Sequence, residues 1–110
     1  MIEFEDFAQI EMATGTVIAA EPNHSARVPA FVLRIDFGAH YGERTSSAQL
    51  TDNYTAAGLV GKQVAAVMNF PPRRIAGVKS EVLVLGAASD EAGVVLLEPT
   101  FAVADGTRIA

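Results

Sequence analysis

Three cations within residues 73–79 are the strongest chemical signal in this sequence. Arg73 and Arg74 are adjacent, and Lys79 follows closely. The stretch from Gly61 to Gly86 holds four basic residues and one acidic residue, a charge of +3, whereas the other residues hold four basic and twelve acidic ones, a charge of −8. Guanidinium groups form paired hydrogen bonds with phosphate and stack on nucleic-acid bases. This stretch therefore predicts a local anion site, and RNA is one candidate ligand.

A solvated turn between two strands is the alternative interpretation of this cluster. The apolar runs Val64–Met68 and Val82–Leu85 flank it, and each has the length of a buried strand. Pro71 and Pro72 begin the connection and cannot continue a strand ladder, because proline lacks the N–H group. Short clusters of charge are usually exposed to water without binding a ligand. The residues alone leave both interpretations open.

Arg34 is a further candidate for contact with RNA. Residues 31–38 alternate between apolar and polar side chains, which predicts a strand with one buried face. Arg34 lies on the wet face, where it could contact an oligonucleotide as in other small β-barrels. An exposed ion pair with Asp36 or Glu43, worth at most about 1 kcal/mol, is an equally good explanation.

Hydroxyl and amide side chains near these segments could complete the site. Ser46, Ser47 and Gln49 offer hydrogen bonds beside the same face, although a plain polar strand has the same composition. Asn69 and Ser80 flank the basic segment. They could bind a ligand, or they could close the turn through bonds to the backbone.

The sequence offers no candidate for a catalytic or metal site. It contains no cysteine, and its two histidines, His24 and His40, lack partners at ligand spacing. No carboxylate pair has the context of a general acid and base, and no phosphate-binding glycine loop or nucleophile elbow is present. We therefore expect a protein that is not an enzyme and needs no metal or cofactor.

Length and composition predict one domain that spans residues 1–110. Half of the residues are hydrophobic and 19% are charged, which favours a packed core and allows an apolar self-association surface. The acidic pI of about 4.8 argues against nucleic-acid binding driven by overall charge, so any RNA site must be local. The acidic N-terminus and the lack of a long apolar run predict a cytoplasmic protein without a membrane span.

The order of apolar patterns predicts an all-β fold, the five-stranded Greek-key barrel known as the OB-fold. A short helix should precede the first strand, and another should lie between strands three and four, capped by Asp52 or Asn53 and ended by Gly58 or Gly61. Gly15 should mark a bulge or a tight bend in the first strand. The predicted helices and strands are an N-terminal helix within residues 3–10, strands at 11–21, 31–38, 45–51, 64–70 and 81–87, a helix at 54–59 and a short strand at 94–97.

Several motifs resemble those of the CsaA family, small bacterial proteins with chaperone-like and tRNA-binding properties. That family is in turn similar to the tRNA-binding domain that is appended to methionyl- and phenylalanyl-tRNA synthetases. The resemblance covers essentially the whole chain. The matching segments are Asn69–Gly86, Phe31–Gly38, Ser46–Gln49, Leu59–Lys62, Phe4–Phe7 and Gly15–Val17.

The resemblance implies an OB-fold homodimer that recognises the shape of tRNA and contacts the backbone of the RNA. It also implies a second function, as a chaperone that binds exposed apolar segments of unfolded or export-bound polypeptides. One departure is Glu81-Val82, where relatives often have Gly-Met, because a carboxylate there is expected to weaken phosphate binding. We predict a non-catalytic tRNA-binding protein whose RNA contacts are Arg34, Ser46, Gln49, Asn69, Arg73, Arg74, Lys79 and Ser80.

Overall fold

The computed structural model describes all 110 residues. It contains three short helices and ten strands. The helices are α1 (Phe4–Ala8), α2 (Gly38–Tyr41) and α3 (Ala56–Leu59), and the strands are β1 (Met12–Pro22), β2 (Phe31–Asp36), β3 (Glu43–Ala48), β4 (Gln63–Val67), β5 (Arg73–Ile75), β6 (Val78–Ser80), β7 (Leu83–Val84), β8 (Gly86–Ser89), β9 (Gly93–Leu96) and β10 (Arg108–Ile109). None of the helices is long and apolar enough to cross a membrane.

One antiparallel sheet forms the barrel wall in the order β3-β2-β1-β4-β7, with β10 added to β1. The chain after β6 returns to the free edge of β3, where the Glu81 N–H donates to the Thr45 carbonyl at 2.8 Å. That contact nearly closes the sheet into a barrel. The strand order and the helix α3 between β3 and β4 confirm the OB-fold prediction.

Period-two alternation builds the core. Phe31, Leu33 and Ile35 of β2 are buried, as is Phe37 just beyond the strand, whereas Arg34 is exposed. Leu59 of α3 and the apolar face of β4 pack against the same cluster. The predicted alternation of this strand is therefore confirmed residue by residue.

Of the two predictions for Gly15, a bulge or a tight bend, the bulge does not lie at this residue. The register shift of β1 against β2 lies between Val17 and Ala19. A Cβ atom at Gly15 would lie 2.5 Å from the Phe37 ring and 2.7 Å from the Ile35 side chain. Glycine is required here because two core side chains occupy the space above its Cα.

The start of α3 also differs from the prediction. Its N-cap is Thr55, whose side chain accepts a hydrogen bond from the Gly58 N–H at 3.0 Å, and neither Asp52 nor Asn53 caps it. Asn53 instead donates to the Ala92 and Val94 carbonyls and so holds the β8–β9 hairpin. The end of the helix agrees with the prediction, because Gly61 follows it with a φ of 94°.

Three further features differ from the prediction. Residues 38–41, where no helix was predicted, form the single helical turn α2, and the expected fifth strand is divided into β7 and β8. The C-terminal β10 pairs with β1 and is fixed by a hydrogen bond of 2.6 Å from the Thr16 hydroxyl to Asp105. The two chain ends are consequently brought together at one end of β1.

Candidate nucleic-acid interface

The cationic stretch folds into a separate two-stranded hairpin, which we call the basic hairpin (Arg73–Ser80). Its strands β5 and β6 pair only with each other. The turn residues Ala76 and Gly77 have φ angles of 47° and 82°, and two positive φ angles are typical of the tight turn that suits a β-hairpin. The sequence predicted a basic hairpin formed by the longer flanking strands, with a connection at this place; β5 and β6 were not predicted, because each is three residues long.

Two cations lie directly opposite each other on the outer face of the basic hairpin. The register pairs Arg74 with Lys79, and both residues are exposed. Like charges at opposed positions of an antiparallel pair destabilise it by up to about 1 kcal/mol. The hairpin therefore carries a repulsion that a bound anion would remove.

Neither cation has a carboxylate partner. The ion pairs of this chain are Arg34–Glu43 and Lys62–Glu98. Arg74 donates to the Gly77 carbonyl at 3.3 Å, a contact within the hairpin that leaves its charge uncompensated. The positive field of the hairpin is thus available to a ligand.

Three polar residues beside the basic hairpin complete the barrel instead of facing solvent. We call the contact of β3 with residues 80–82 the closing seam. The Ser46 hydroxyl donates to the Val82 carbonyl at 3.1 Å, and the Ser80 hydroxyl accepts from the Ser47 N–H at 3.1 Å. Glu81 accepts from the Thr45 N–H at 3.1 Å. Ser80 and Glu81 thereby satisfy N–H groups on the edge strand β3 that would otherwise remain unpaired, and Ser46 satisfies the Val82 carbonyl.

The closing seam changes the interpretation of two predicted RNA contacts. Ser46 is 1% exposed and Ser80 is 8% exposed, so the structure gives their hydroxyls structural partners and little access to a ligand. The carboxylate of Glu81 is likewise bonded to β3. The expectation that it repels phosphate therefore applies to a group that is already engaged in the barrel.

Asn69 and Arg34 also have partners within the chain. The Asn69 amide donates to the Gln9 carbonyl at 2.8 Å and accepts from the Glu11 N–H at 3.0 Å, so it fixes the segment after α1. Arg34 forms the ion pair with Glu43 that the sequence left open as one alternative. Both side chains of that pair are more than half exposed, so the pair contributes little to stability and can be exchanged for another anion.

Gln49 lies in a groove beneath the hairpin, together with a cation that the sequence analysis did not select. The groove has a volume of about 450 Å³, and Ser47, Gln49 and Ile75 line it. Arg27, from the loop between β1 and β2, also lines it. The available signal was the position of Arg27 in the first interstrand loop, which borders the ligand face in OB-folds.

A second groove, of about 430 Å³, lies on the other side of Ile75. Phe70, Pro71, Pro72 and Leu83 give it an apolar lining, and Arg73 lies at its rim. Phe70 and Leu83 are each about half exposed. The basic hairpin thus separates two concave surfaces, one more polar than the other.

Other groups that could carry chemistry are absent or remote from the hairpin. No three histidine or acidic side chains are close enough together to hold a metal ion. The Tyr41 hydroxyl donates to Glu11 at 2.9 Å beside the chain ends. Burial of the Tyr41 side chain and, to a smaller extent, this hydrogen bond raise the pKa of its phenol. The basic hairpin and its grooves remain the candidate site.

Comparison with known proteins gives consistent results. The family model described as "Putative tRNA binding domain" matches residues 12–108. The structure is similar to that of the chaperone CsaA from Bacillus anthracis str. Ames, with a TM-score of 0.94, 50% identity, and coverage of 100% of this chain and 99% of that chain. The CsaA chaperone protein from Picrophilus torridus matches with a TM-score of 0.94, 43% identity and full coverage of both chains.

A longer relative carries a similar segment. The methionine–tRNA ligase of Porphyromonas gingivalis is 34% identical over 108 residues, which are 98% of this chain and 15% of the ligase. The chain thus spans about one seventh of that relative.

Proposed function

Since this chain belongs to the tRNA-binding domain family and is of the CsaA type, we propose that it is a non-catalytic protein that binds tRNA through the basic hairpin. The observation that carries this proposal is the pairing of Arg74 with Lys79, without a carboxylate for either. A phosphate between them replaces a repulsion with two charge-assisted hydrogen bonds. Arg73, on the other face of the hairpin, adds a third cation.

Binding through phosphates predicts a steep dependence on salt. Each phosphate contact contributes about 0.9 to the slope of log affinity against log salt for a duplex. Three contacts per chain predict that affinity for tRNA falls roughly 40-fold between about 50 and about 200 mM salt. Purified protein should be titrated with total tRNA at both concentrations, with an unfolded polypeptide as the parallel ligand.

The two ligands distinguish this function from the chaperone function. Apolar association does not weaken as salt rises, whereas phosphate binding does. Tight, salt-sensitive tRNA binding supports the proposal. Absence of tRNA binding at low salt, with polypeptide binding that persists at high salt, would contradict it.

The apolar groove favours the chaperone as the second candidate. Its half-exposed Phe70 and Leu83, with the two prolines, could hold an extended apolar segment of an unfolded polypeptide. Phe70→Ser should then weaken polypeptide binding and leave tRNA binding unchanged, because the proposed tRNA contacts are the cations of the basic hairpin. Equal polypeptide binding by the variant would exclude this groove as the peptide site.

We also propose that the protein is a homodimer that associates through its chain ends. Phe4 of α1 is 73% exposed, and it lines one cavity with Ile10 and Ile109 beside the start of β1. Phe101, 81% exposed, adds an apolar side chain in the segment whose Val103 bonds to Gln63. Water is an unfavourable environment for so many apolar side chains. A dimer would also place two basic hairpins on one assembly, so that avidity adds to a weak single site.

Sedimentation of wild type and of Phe4→Ser tests this assembly. The variant should sediment as a monomer and should bind tRNA more weakly, because the second hairpin is lost. A wild-type protein that remains a monomer at high concentration would contradict the proposed dimer.

A further inference from the structure

We propose that Lys79 is an acylation site, modified by acyl phosphates, and that Arg74 docks the phosphate group of the reagent. An acyl phosphate is the mixed anhydride of a carboxylic acid and phosphoric acid. The acylation itself does not depend on RNA. Its consequence, a basic hairpin with one charge fewer and a lower affinity for tRNA, rests on the proposed function.

The two lysines of this chain lie in different environments. The Lys62 ammonium is 3.2 Å from a carboxylate oxygen of Glu98 and 5.9 Å from the centre of the Tyr54 ring. Lys79 is exposed on β6 and belongs to neither ion pair of the chain. The ion pair holds the Lys62 amine against the protein surface, whereas the Lys79 amine is open to a reagent. Lys79 is therefore the more accessible of the two amines.

Arg74 has the position that a phosphate-docking residue needs. The register pairs it with Lys79, so both side chains lie on one face of the hairpin, with Cβ atoms about 5 Å apart. Its hydrogen bond of 3.3 Å to the Gly77 carbonyl orients the guanidinium and leaves its other N–H groups free. A guanidinium can donate to two oxygens of one phosphate. An acyl phosphate bound there places its carbonyl carbon, two bonds from phosphorus, beside the Lys79 amine.

The step is an acyl transfer that needs no further reagent. The neutral Lys79 amine attacks the carbonyl carbon, and a C–N bond forms. The bond between this carbon and the phosphate oxygen breaks, and inorganic phosphate leaves with the electron pair. The proton of the amine passes to water. The product is a neutral amide, so acylation removes the charge that opposes Arg74.

Two reagents separate docking from simple exposure. Wild-type protein is incubated with acetyl phosphate, and peptide mapping by mass spectrometry gives the ratio of acetylation at Lys79 to that at Lys62. The same ratio is measured with the acetyl ester of N-hydroxysuccinimide, an uncharged reagent that reports exposure alone. Arg74→Gln removes the docking group. Arg108→Gln, which removes an exposed cation from β10, is the matched control, and urea unfolding verifies that both variants are folded.

The preference for Lys79 should depend on the charge of the reagent. The ratio with acetyl phosphate should exceed the ratio with the uncharged ester about threefold to tenfold, as expected for one exposed charge-assisted contact. Arg74→Gln should abolish this excess, and Arg108→Gln should retain it. Salt at about 1 M should also reduce the excess, because it screens the contact between guanidinium and phosphate.

The effect on RNA binding is measured on the same samples. Acetylation should lower the affinity of wild type for tRNA about tenfold, because one charge-assisted hydrogen bond is lost. Acetyl phosphate should not change the tRNA affinity of Lys79→Arg, since this variant has no amine at the site. An equal loss in treated Lys79→Arg would assign the effect to another group and would overturn the proposed consequence.

Three results would overturn the acylation site while leaving tRNA binding intact. The first is an equal ratio with the charged and the uncharged reagent, and the second is an excess that Arg74→Gln does not reduce. The third is faster acetylation of Lys62 than of Lys79 by acetyl phosphate. Failure of untreated wild type to bind tRNA would refute the proposed function instead, and the acetylation ratios would still decide whether Lys79 is the acylation site.

Discussion

The basic hairpin and the closing seam adjoin each other, share Ser80, and use their polar side chains in opposite ways. In the closing seam, Ser46, Ser80 and Glu81 each bond to a backbone group of the barrel. In the basic hairpin, Arg74 and Lys79 face each other without a carboxylate. One region satisfies its polar groups within the chain, whereas the charges of the other have no partner of opposite charge in the chain.

This difference shows that residue type and family motif do not by themselves assign a polar residue to a binding site. Ser80 and Lys79 are adjacent in one motif, yet one side chain is buried and the other is exposed. The partner of each polar group decides between the two roles. Substitutions in the two regions should consequently move stability and RNA binding in different directions.

The largest expected effect on stability is that of Ser46→Ala in the closing seam. The change removes a buried donor and leaves the Val82 carbonyl without it, at a cost of about 1–3 kcal/mol. Thermal and urea unfolding measure the loss. The folded variant should bind tRNA as tightly as wild type does. A weakened tRNA affinity with unchanged stability would instead place Ser46 in the RNA-binding site.

Lys79→Gln in the basic hairpin should raise the stability of the free protein and lower its affinity for tRNA. Removal of the charge opposite Arg74 should stabilise the free protein by about 0.2–1 kcal/mol. Affinity for tRNA should fall about tenfold, because one charge-assisted hydrogen bond is lost. Urea unfolding measures the change in stability, and titration with tRNA measures the change in affinity. A variant that is less stable than wild type would mean that Lys79 supports the fold.

Glu81→Gln is expected to have the smallest effect. The glutamine amide oxygen can still accept from the Thr45 N–H, so stability should change by less than about 1 kcal/mol. Removal of one negative charge near the hairpin should raise tRNA affinity only about twofold at moderate distance. A tenfold rise would restore the idea that Glu81 is a major obstacle to phosphate binding.

The fold could be predicted from the sequence where one pattern determines one structure. Alternation at Phe31, Leu33 and Ile35 fixed the face of β2, and the order of the strands and of α3 indicated the OB-fold. The short strands β5 and β6 and the pairing of β10 could not be predicted, because they contain two or three residues each. The close approach of Phe37 to Gly15 could not be predicted, because Phe37 is distant in sequence.

The exposed charges of the candidate site could be predicted from the sequence, whereas the partners of its polar residues could not. Arg73, Arg74 and Lys79 are exposed on one hairpin, as the cluster had indicated. The partners of Ser46, Ser80 and Asn69 lie 36, 33 and up to 60 residues away along the chain. No local pattern reveals such partners. Arg27 was not predicted as an RNA contact, although its loop position was visible in the sequence, because the groove that it lines with Ile75 exists only in the folded chain.

The most direct test of the central claim is the salt dependence of tRNA binding by Arg73→Ala/Arg74→Ala. We predict an affinity at least about 100-fold below wild type at low salt, and a salt slope reduced by about two units. Lys62→Ala, which removes a cation paired with Glu98, should leave both values nearly unchanged. A double variant that binds tRNA with wild-type affinity and slope would show that the basic hairpin is not the RNA-binding surface.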